Sequence, residues 1–163
     1  PGAAAAAMTR WRREAMFGQD YTYSKTTLKK ETGPMPALVR KAIEFMNNTA
    51  IFGHTDTPYN ACLANFYEAK DYISEHQDNE KEHLAGMPVA SFSFGETRPL
   101  VIKRYKARTK LSDGSPNPDY FCKCIAMPHA SATLMTGGDF QRLFTHQVRK
   151  GKGTRLSLTV RAF

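Results

Sequence analysis

The stretch Arg155-Leu156-Ser157-Leu158-Thr159-Val160-Arg161 decides how the rest of this 163-residue chain is read. Residues two apart on a β-strand point to the same side. Leu156, Leu158 and Val160 therefore form an apolar face suited to a core, and Arg155, Ser157, Thr159 and Arg161 form the other. Two arginines and two hydroxyls in a row make a good anion surface, because the planar guanidinium fork matches a carboxylate bidentately. An ordinary polar outer face is the competing account of that row. Such a strand spans roughly 20 Å at full extension. Its two arginines cannot grip a single carboxylate group unless the strand twists and their side chains converge.

Working outward, Asn60 to Tyr67, Tyr72 to His76, Val89 to Phe94, Leu100 to Tyr105, Tyr120 to Ala126, Ala132 to Thr136, Arg142 to His146 and Thr154 to Val160 read as short strands rich in β-branched or aromatic residues. Ser112 to Pro118 is a turn-rich loop. Pro36 to Asn47 carries Leu38, Val39, Ala42, Ile43 and Met46 at helical spacing, with Asn47-Asn48 and Gly53 marking its end. A second, short helix is expected over Met8 to Met16, carrying Arg10, Arg12 and Arg13 around Trp11; these could touch backbone phosphates, and a disordered basic tail is the favoured account. Gln19 to Gly33 reads as irregular or hairpin-like. A helical start followed by about eight strands predicts an α+β, mainly β domain: two packed sheets in a jelly roll, with helices on one side. The expected division is a basic N-terminal segment, 1–16, and a folded domain, 17–163. Pro1 to Ala7 lacks an initiating Met and reads as a cloning remnant or the edge of an excised domain.

With 41% hydrophobic residues the chain should fold rather than stay disordered. Its net charge of +8 favours polyanionic partners, nucleic acid first, although solubility alone would also account for it. Three cysteines argue against a disulfide scaffold. Cys122-Lys123-Cys124 lacks the spacing of a common zinc site and is expected to put two strand cysteines on opposite faces. No apolar run approaches the ~20 residues that span a bilayer. Neither is there a signal peptide, so no membrane partner is expected and an intracellular monomer is.

The chemistry sits elsewhere. In His76-Gln77-Asp78 the first and third residues share a face at a strand end, and His146 would join them from a distant strand. Two histidines and one carboxylate can hold Fe(II) and leave coordination positions open for O2 and a cosubstrate. Mn(II), Co(II) or Ni(II) could fill the same ligands. A dicarboxylate cosubstrate would need arginines on a neighbouring strand. A His-x-Asp is common as a surface pair, and a lone histidine is more often satisfied than ligating. The ensemble points to an iron-dependent oxygenase using 2-oxoglutarate.

Asn60 to Tyr67, His76-Gln77-Asp78-Asn79-Glu80, Pro88 to Gly95, Gly137-Gly138 leading to Leu143-Phe144-Thr145-His146, and Arg155-x-Ser157-Leu158-Thr159-x-Arg161 closely resemble the AlkB dioxygenases in order and spacing. The resemblance covers roughly Tyr21 to Arg161. It implies a double-stranded β-helix (jelly roll) with a lid segment, and oxidative removal of alkyl groups from bases of DNA or RNA such as 1-methyladenine and 3-methylcytosine. O2 and 2-oxoglutarate would be consumed, and succinate, CO2 and formaldehyde released. By position, His76, Asp78 and His146 would hold Fe(II), and Asn65 and Tyr67 would hydrogen-bond 2-oxoglutarate. Arg155 would pair with its distal carboxylate and Arg161 would serve the end near the metal, with Ser157 and Thr159 between them. A base within a duplex cannot reach such a metal, so a flipped-out or single-stranded base is expected.

On the substrate side, Glu80 matches an acidic position that contacts the exocyclic amine, and a solvated carboxylate beside Lys81 is the alternative. Tyr21 and Tyr23 match a Tyr-x-Tyr-Ser lid segment whose rings could stack on a base, or could simply pack the loop. Lys25, with Lys29 and Lys30, is placed on the lid for phosphate contact. The chain departs from the pattern at Ser157, where many relatives carry Asn, and at Gln147-Val148-Arg149, which replaces a Ser-x-Pro. Leu100 to Tyr105 runs into Lys106, Arg108 and Lys110, an unusually basic edge. An excised domain of a larger, viral protein would fit the short length. The same oxygenase chemistry on a non-nucleic-acid substrate, or a catalytically silent nucleic-acid-binding module, are the other readings.

Overall fold

From residue 61 onward the chain passes back and forth between two antiparallel sheets. β5 (Ala61–Tyr67), β7 (Val89–Gly95), β10 (Ser131–Met135) and β12 (Arg155–Arg161) lie in one sheet, and β6 (Ile73–His76), β8 (Arg98–Arg104), β9 (Cys122–Met127) and β11 (Phe144–Val148) in the other. The first sheet is extended at its β5 edge by β2 (Arg12–Phe17) and β1 (Ala7–Thr9), giving the order β1-β2-β5-β12-β7-β10. The second runs β6-β11-β8-β9, and β3 (Tyr21–Tyr23) pairs with β4 (Thr26–Leu28) as a separate ribbon. This is the jelly roll that the strand pattern predicts. The computed structural model describes residues 7–9, 12–23, 26–49, 58–78, 84, 87–137 and 139–163.

Helix α1 (Ala37–Asn48) covers the outer face of the larger sheet. Its stripe of Val39, Ala42 and Met46 packs with Cys62, Ala90, Leu158 and Val160 in one core cluster. Each buried Val, Leu or Met side chain of the cluster contributes on the order of 1.5–3 kcal/mol. Asn47 ties the end of the helix to the start of β5. Its Nδ2 donates to the Tyr59 carbonyl at 3.0 Å and its Oδ1 accepts from the Tyr59 amide at 2.7 Å.

Leu158 and Val160 thus face α1 as a core face should. The opposite row is not a solvent face: Arg155, Ser157 and Arg161 are 1%, 2% and 3% exposed. β12 is central in its sheet, between β5 and β7, and its polar row lines a cavity together with residues of the second sheet.

The helix expected over Met8 to Met16 is instead β1 and β2. Arg12, Glu14 and Met16 alternate with Arg13, Ala15 and Phe17, and pairing of β2 along β5 outweighs any local helical preference. Arg142 to His146 is not one strand. A single turn, α2 (Phe140–Leu143), precedes β11. Cys122 and Cys124 do not point to opposite faces; being two apart on β9 they share one, and both are exposed.

Gly18 ends β2 with a φ of +89°, and a Cβ there would lie 1.9 Å from the Asn60 carbonyl oxygen. Gly18→Ala should destabilise the fold by roughly 1–3 kcal/mol through left-handed strain and that clash. A thermal melt showing no fall in Tm would contradict this account of the β2 turn.

Candidate metal and cosubstrate site

The space between the sheets is a cavity of about 170 Å³. β6 and β11 pair antiparallel with His76 directly opposite His146, which brings two residues far apart in sequence to a ring-centroid separation of 4.2 Å. Asp78, just past the end of β6, completes the group. The ligand atoms of His76, Asp78 and His146 all lie within 4.8 Å of one another. Each histidine presents Nε2 to the carboxylate, at 3.6 Å from Oδ1 for His76 and 3.6 Å from Oδ2 for His146. The His76 ring is oriented from behind by its Nδ1 contact with the Ser74 carbonyl at 2.8 Å. Asp78 is held at its backbone, where its amide donates to Gln141 Oε1 at 2.9 Å.

Arg161 reaches the same carboxylate from the larger sheet, its Nη2 donating to Asp78 Oδ1 at 2.8 Å. Burial alone would raise the Asp78 pKa, but Arg161, His146 and His76 outweigh it and hold the carboxyl well below the usual carboxylate range. Burial pushes His146 down to about 4, with Asp78 pulling the other way and His76 and Arg161 adding to the fall. At neutral pH the site therefore offers an ionised carboxylate and a neutral buried imidazole, the protonation states that a divalent metal needs. The donor set fits Fe(II).

Arg155 lies six positions along β12 from Arg161, towards the opposite end of the cavity. Its Nη2 donates to Ser93 Oγ at 2.8 Å and to Met127 Sδ at 3.5 Å, whereas Nε and Nη1 are buried without a hydrogen-bond partner. Burial lowers its pKa, with Tyr67 opposing and Arg98 adding to the shift. Arg98 makes the contrast. It is fully buried too, but donates to the carbonyls of Asp71, Glu68 and Gly153 and to the Glu96 carboxylate, so its charge and geometry are used up in the fold. Arg155 has no carboxylate partner among the described residues. A buried guanidinium with spare donors is costly unless an anion meets it, and a dicarboxylate would.

Asn65, Tyr67, Ser157 and Thr159 line the cavity between these ends. Tyr67 faces Arg155 across 5.3 Å from ring centroid to guanidinium. Burial raises its pKa, opposed by Arg12, Arg155 and a hydrogen bond with Ser157. Ser157 thus has a local partner where the family pattern more often has Asn.

Tyr21 is 2% exposed, 4.8 Å from the Arg161 guanidinium and stacked on Phe163 at 5.7 Å. It is a cavity wall rather than an open stacking platform. Glu80, Lys25, Trp11 and Arg10 lie outside the described residues, as does the side chain of Tyr23. Lys29 on the ribbon is engaged with Asp20 at 2.7 Å.

Sequence reasoning missed Arg12. Its side chain is 8% exposed, lines the cavity, pairs with buried Glu14 and donates from Nε to Asn65 Oδ1 at 2.8 Å. Reading 12–17 as a strand would have exposed it, since Arg12, Glu14 and Met16 then form one face.

The sequence profile of the 2OG-Fe(II) oxygenase superfamily matches residues 4–161. The chain belongs to this superfamily. Within it the chain is AlkB-like. It is 31% identical over 128 residues to "DNA oxidative demethylase ALKBH2" of Homo sapiens, covering 76% of this chain and 45% of the relative. To "Alpha-ketoglutarate-dependent dioxygenase alkB homolog 3" of Rattus norvegicus it is 32% identical over 159 residues, covering 92% and 49%. The chain thus spans about half the length of the curated relatives it matches. Among solved structures, "The structure of OsALKBH1" superposes with a TM-score of 0.52 at 18% identity over 99% of this chain and 82% of that one, a likeness of fold. His76, Asp78 and His146 form a donor group that fits Fe(II), and the row from Arg155 to Arg161 faces the same cavity.

Removing ligands should separate metal binding from folding. His76→Ala should abolish Mn(II) or Fe(II) binding in calorimetry and change apo stability little, since its side chain is 29% exposed. Asp78→Ala should abolish binding and also lower apo stability by about 3–5 kcal/mol, because Arg161 loses its buried carboxylate. Equal melting temperatures for the two variants would contradict this division.

Proposed function

We propose that this chain is an Fe(II)- and 2-oxoglutarate-dependent demethylase of N-alkylated bases in single-stranded DNA or RNA, with 1-methyladenine and 3-methylcytosine as typical substrates. The observation that carries the oxygenase part is the polar row of β12. One end is bonded to a metal-ligand carboxylate and the other ends in a buried arginine with spare donors. In this reading Arg155 takes the distal carboxylate of 2-oxoglutarate, Asn65 and Tyr67 hydrogen-bond it along its length, and Ser157 and Thr159 shape the wall. Arg161 keeps Asp78 ionised and oriented and serves the end of 2-oxoglutarate near the metal. Bound Fe(II) supplies the oxygen-activating chemistry. Overall, one atom of O2 enters a C–H bond of the N-methyl group and the other enters succinate, with CO2 released. The resulting N-hydroxymethyl group loses formaldehyde.

The nucleic-acid part is supported by the names of the relatives and by where the charge lies. Residues 103–123 hold six lysines and arginines against two aspartates, a net +4 and half of the chain's +8. By register, Lys123 and Ile102 lie in the same cross-strand row as His146, and Arg104 pairs with Phe144 two rows away on the same face. Strands lie about 4.8 Å apart, so Lys123 is some 10 Å from His146 across the sheet. Phe121, 42% exposed, packs edge-on against Phe144 at 5.5 Å, and Arg104 lies 5.6 Å over the same ring. Cations interleaved with aromatic rings suit a single-stranded backbone with unpaired bases. Glu80, Tyr23 and Lys25 enter the proposal as base-side and phosphate-side groups on the family pattern alone, and Tyr21 as a wall of the cavity.

Anaerobic reconstitution with Fe(II) and 2-oxoglutarate, then air and methylated single-stranded oligonucleotides, should remove one methyl mass and release formaldehyde. His76→Ala should do neither. Succinate formation with every oligonucleotide unchanged would move the substrate elsewhere, and absence of succinate would favour a silent binding module. Independently, Lys106→Ala/Arg108→Ala/Lys110→Ala should weaken oligonucleotide binding and lower the slope of log K against log salt by about 2, at ~0.7 per phosphate contact on a single strand. An unchanged slope would remove this edge from the binding surface.

A further inference from the structure

The wall of the cavity formed by β2 contains a buried ion pair that lies outside both the metal-ligand group and the eight paired strands from 61 onward. Arg12 and Glu14 lie on the same face of β2, with side chains 8% and 0% exposed, and their charged ends pair. Glu14 stands opposite Asn65 in the β2–β5 register, so Arg12 falls beside Asn65 on the diagonal. Burying two charges carries a desolvation cost that their attraction has to offset, and a hydrophobic pair is often as stable or more so. The pair therefore calls for a reason beyond stability.

The reason lies in what Arg12 touches. Its Nε donates to Asn65 Oδ1 at 2.8 Å. Arginine has donors and no acceptor, so the amide atom facing it must be the oxygen. With the oxygen engaged, the amide nitrogen is the group that Asn65 can turn towards the cavity it lines. An NH2 favours an incoming carboxylate or keto oxygen, whereas the flipped amide would set oxygen against oxygen.

We infer that Arg12, itself held by Glu14, is a positioning residue that locks the Asn65 side chain with its NH2 towards the 2-oxoglutarate space. The inference rests on the cosubstrate reading of the cavity. It makes a strand outside the eight-stranded jelly roll part of the binding site, with the pair acting through Asn65 rather than on the reacting atoms. It also assigns Glu14 a purpose, since Glu14 fixes the guanidinium whose Nε reaches across to β5.

The test is a binding cycle on the Mn(II)-loaded protein, with 2-oxoglutarate affinity read by calorimetry. Arg12→Ala alone would take the paired cation from the buried Glu14 carboxylate, so the informative variant is Arg12→Leu/Glu14→Leu, which removes both charges and should melt no lower than the parent. It should bind 2-oxoglutarate about five- to tenfold more weakly, the scale of one well-placed hydrogen bond. Asn65→Ala should show a similar loss, and Arg12→Leu/Glu14→Leu/Asn65→Ala should be no weaker than Asn65→Ala alone. Parental affinity in the double variant, or losses that multiply in the triple one, would overturn the inference. If the parent protein bound no 2-oxoglutarate, the cosubstrate reading would fall and the inference with it; loss of binding confined to the variants leaves that reading standing.

Discussion

Arg161 and Asp78 meet at 2.8 Å inside the protein, each side chain 3% exposed, and much of the site depends on that contact. It joins the last strand of the larger sheet to the end of β6 in the smaller one, so it pins the two layers where the metal ligands converge. A carboxylate buried without a cation would be protonated and of little use to a divalent metal. An arginine buried without an anion would cost several kcal/mol. Each group makes the other tolerable, and the histidines then find a carboxylate that is already ionised and already aimed.

The rest of the polar row follows from the position of β12. A central strand with α1 on one side and the second sheet on the other has no solvent face, so each polar residue on it must find a partner or serve a ligand. Arg161 takes Asp78, Ser157 takes Tyr67, and Arg155 takes Ser93 and Tyr67 with part of its guanidinium. Nε and Nη1 of Arg155 stay buried without a hydrogen-bond partner, the feature on which the proposed cosubstrate role rests. Arg98 is the contrast, since carbonyls and Glu96 take up its donors and tie the loops around it together.

Legibility in the sequence tracked how local each signal is. The strands from 61 onward and α1 emerged from period-two and helical spacing to within a residue or two at most ends, because each buries a face that its own pattern displays. Met8 to Met16 misled because three arginines and a tryptophan hid an alternation that only pairing with β5 makes meaningful. The same misreading concealed Arg12, and it placed as a loose tail a residue that lines the cavity. Tyr21 was visible as an aromatic of the lid segment, but its burial against Arg161 and Phe163 arises from contacts with the far end of the chain.

By itself the sequence determined the residue types and their parity. The His-x-Asp pair, the later histidine, the arginine strand with its hydroxyls and the cluster of charge between 103 and 123 can all be read from spacing of a few residues, because side-chain direction on a strand repeats every two. Only the tertiary structure decided which of those faces is closed. Antiparallel pairing of β6 with β11 set His76 opposite His146, the second sheet turned the polar side of β12 inward, and β2 brought Arg12 against Asn65. Those outcomes depend on which strands become neighbours, and contacts between residues far apart in sequence form through the burial of shared surface rather than through any local preference.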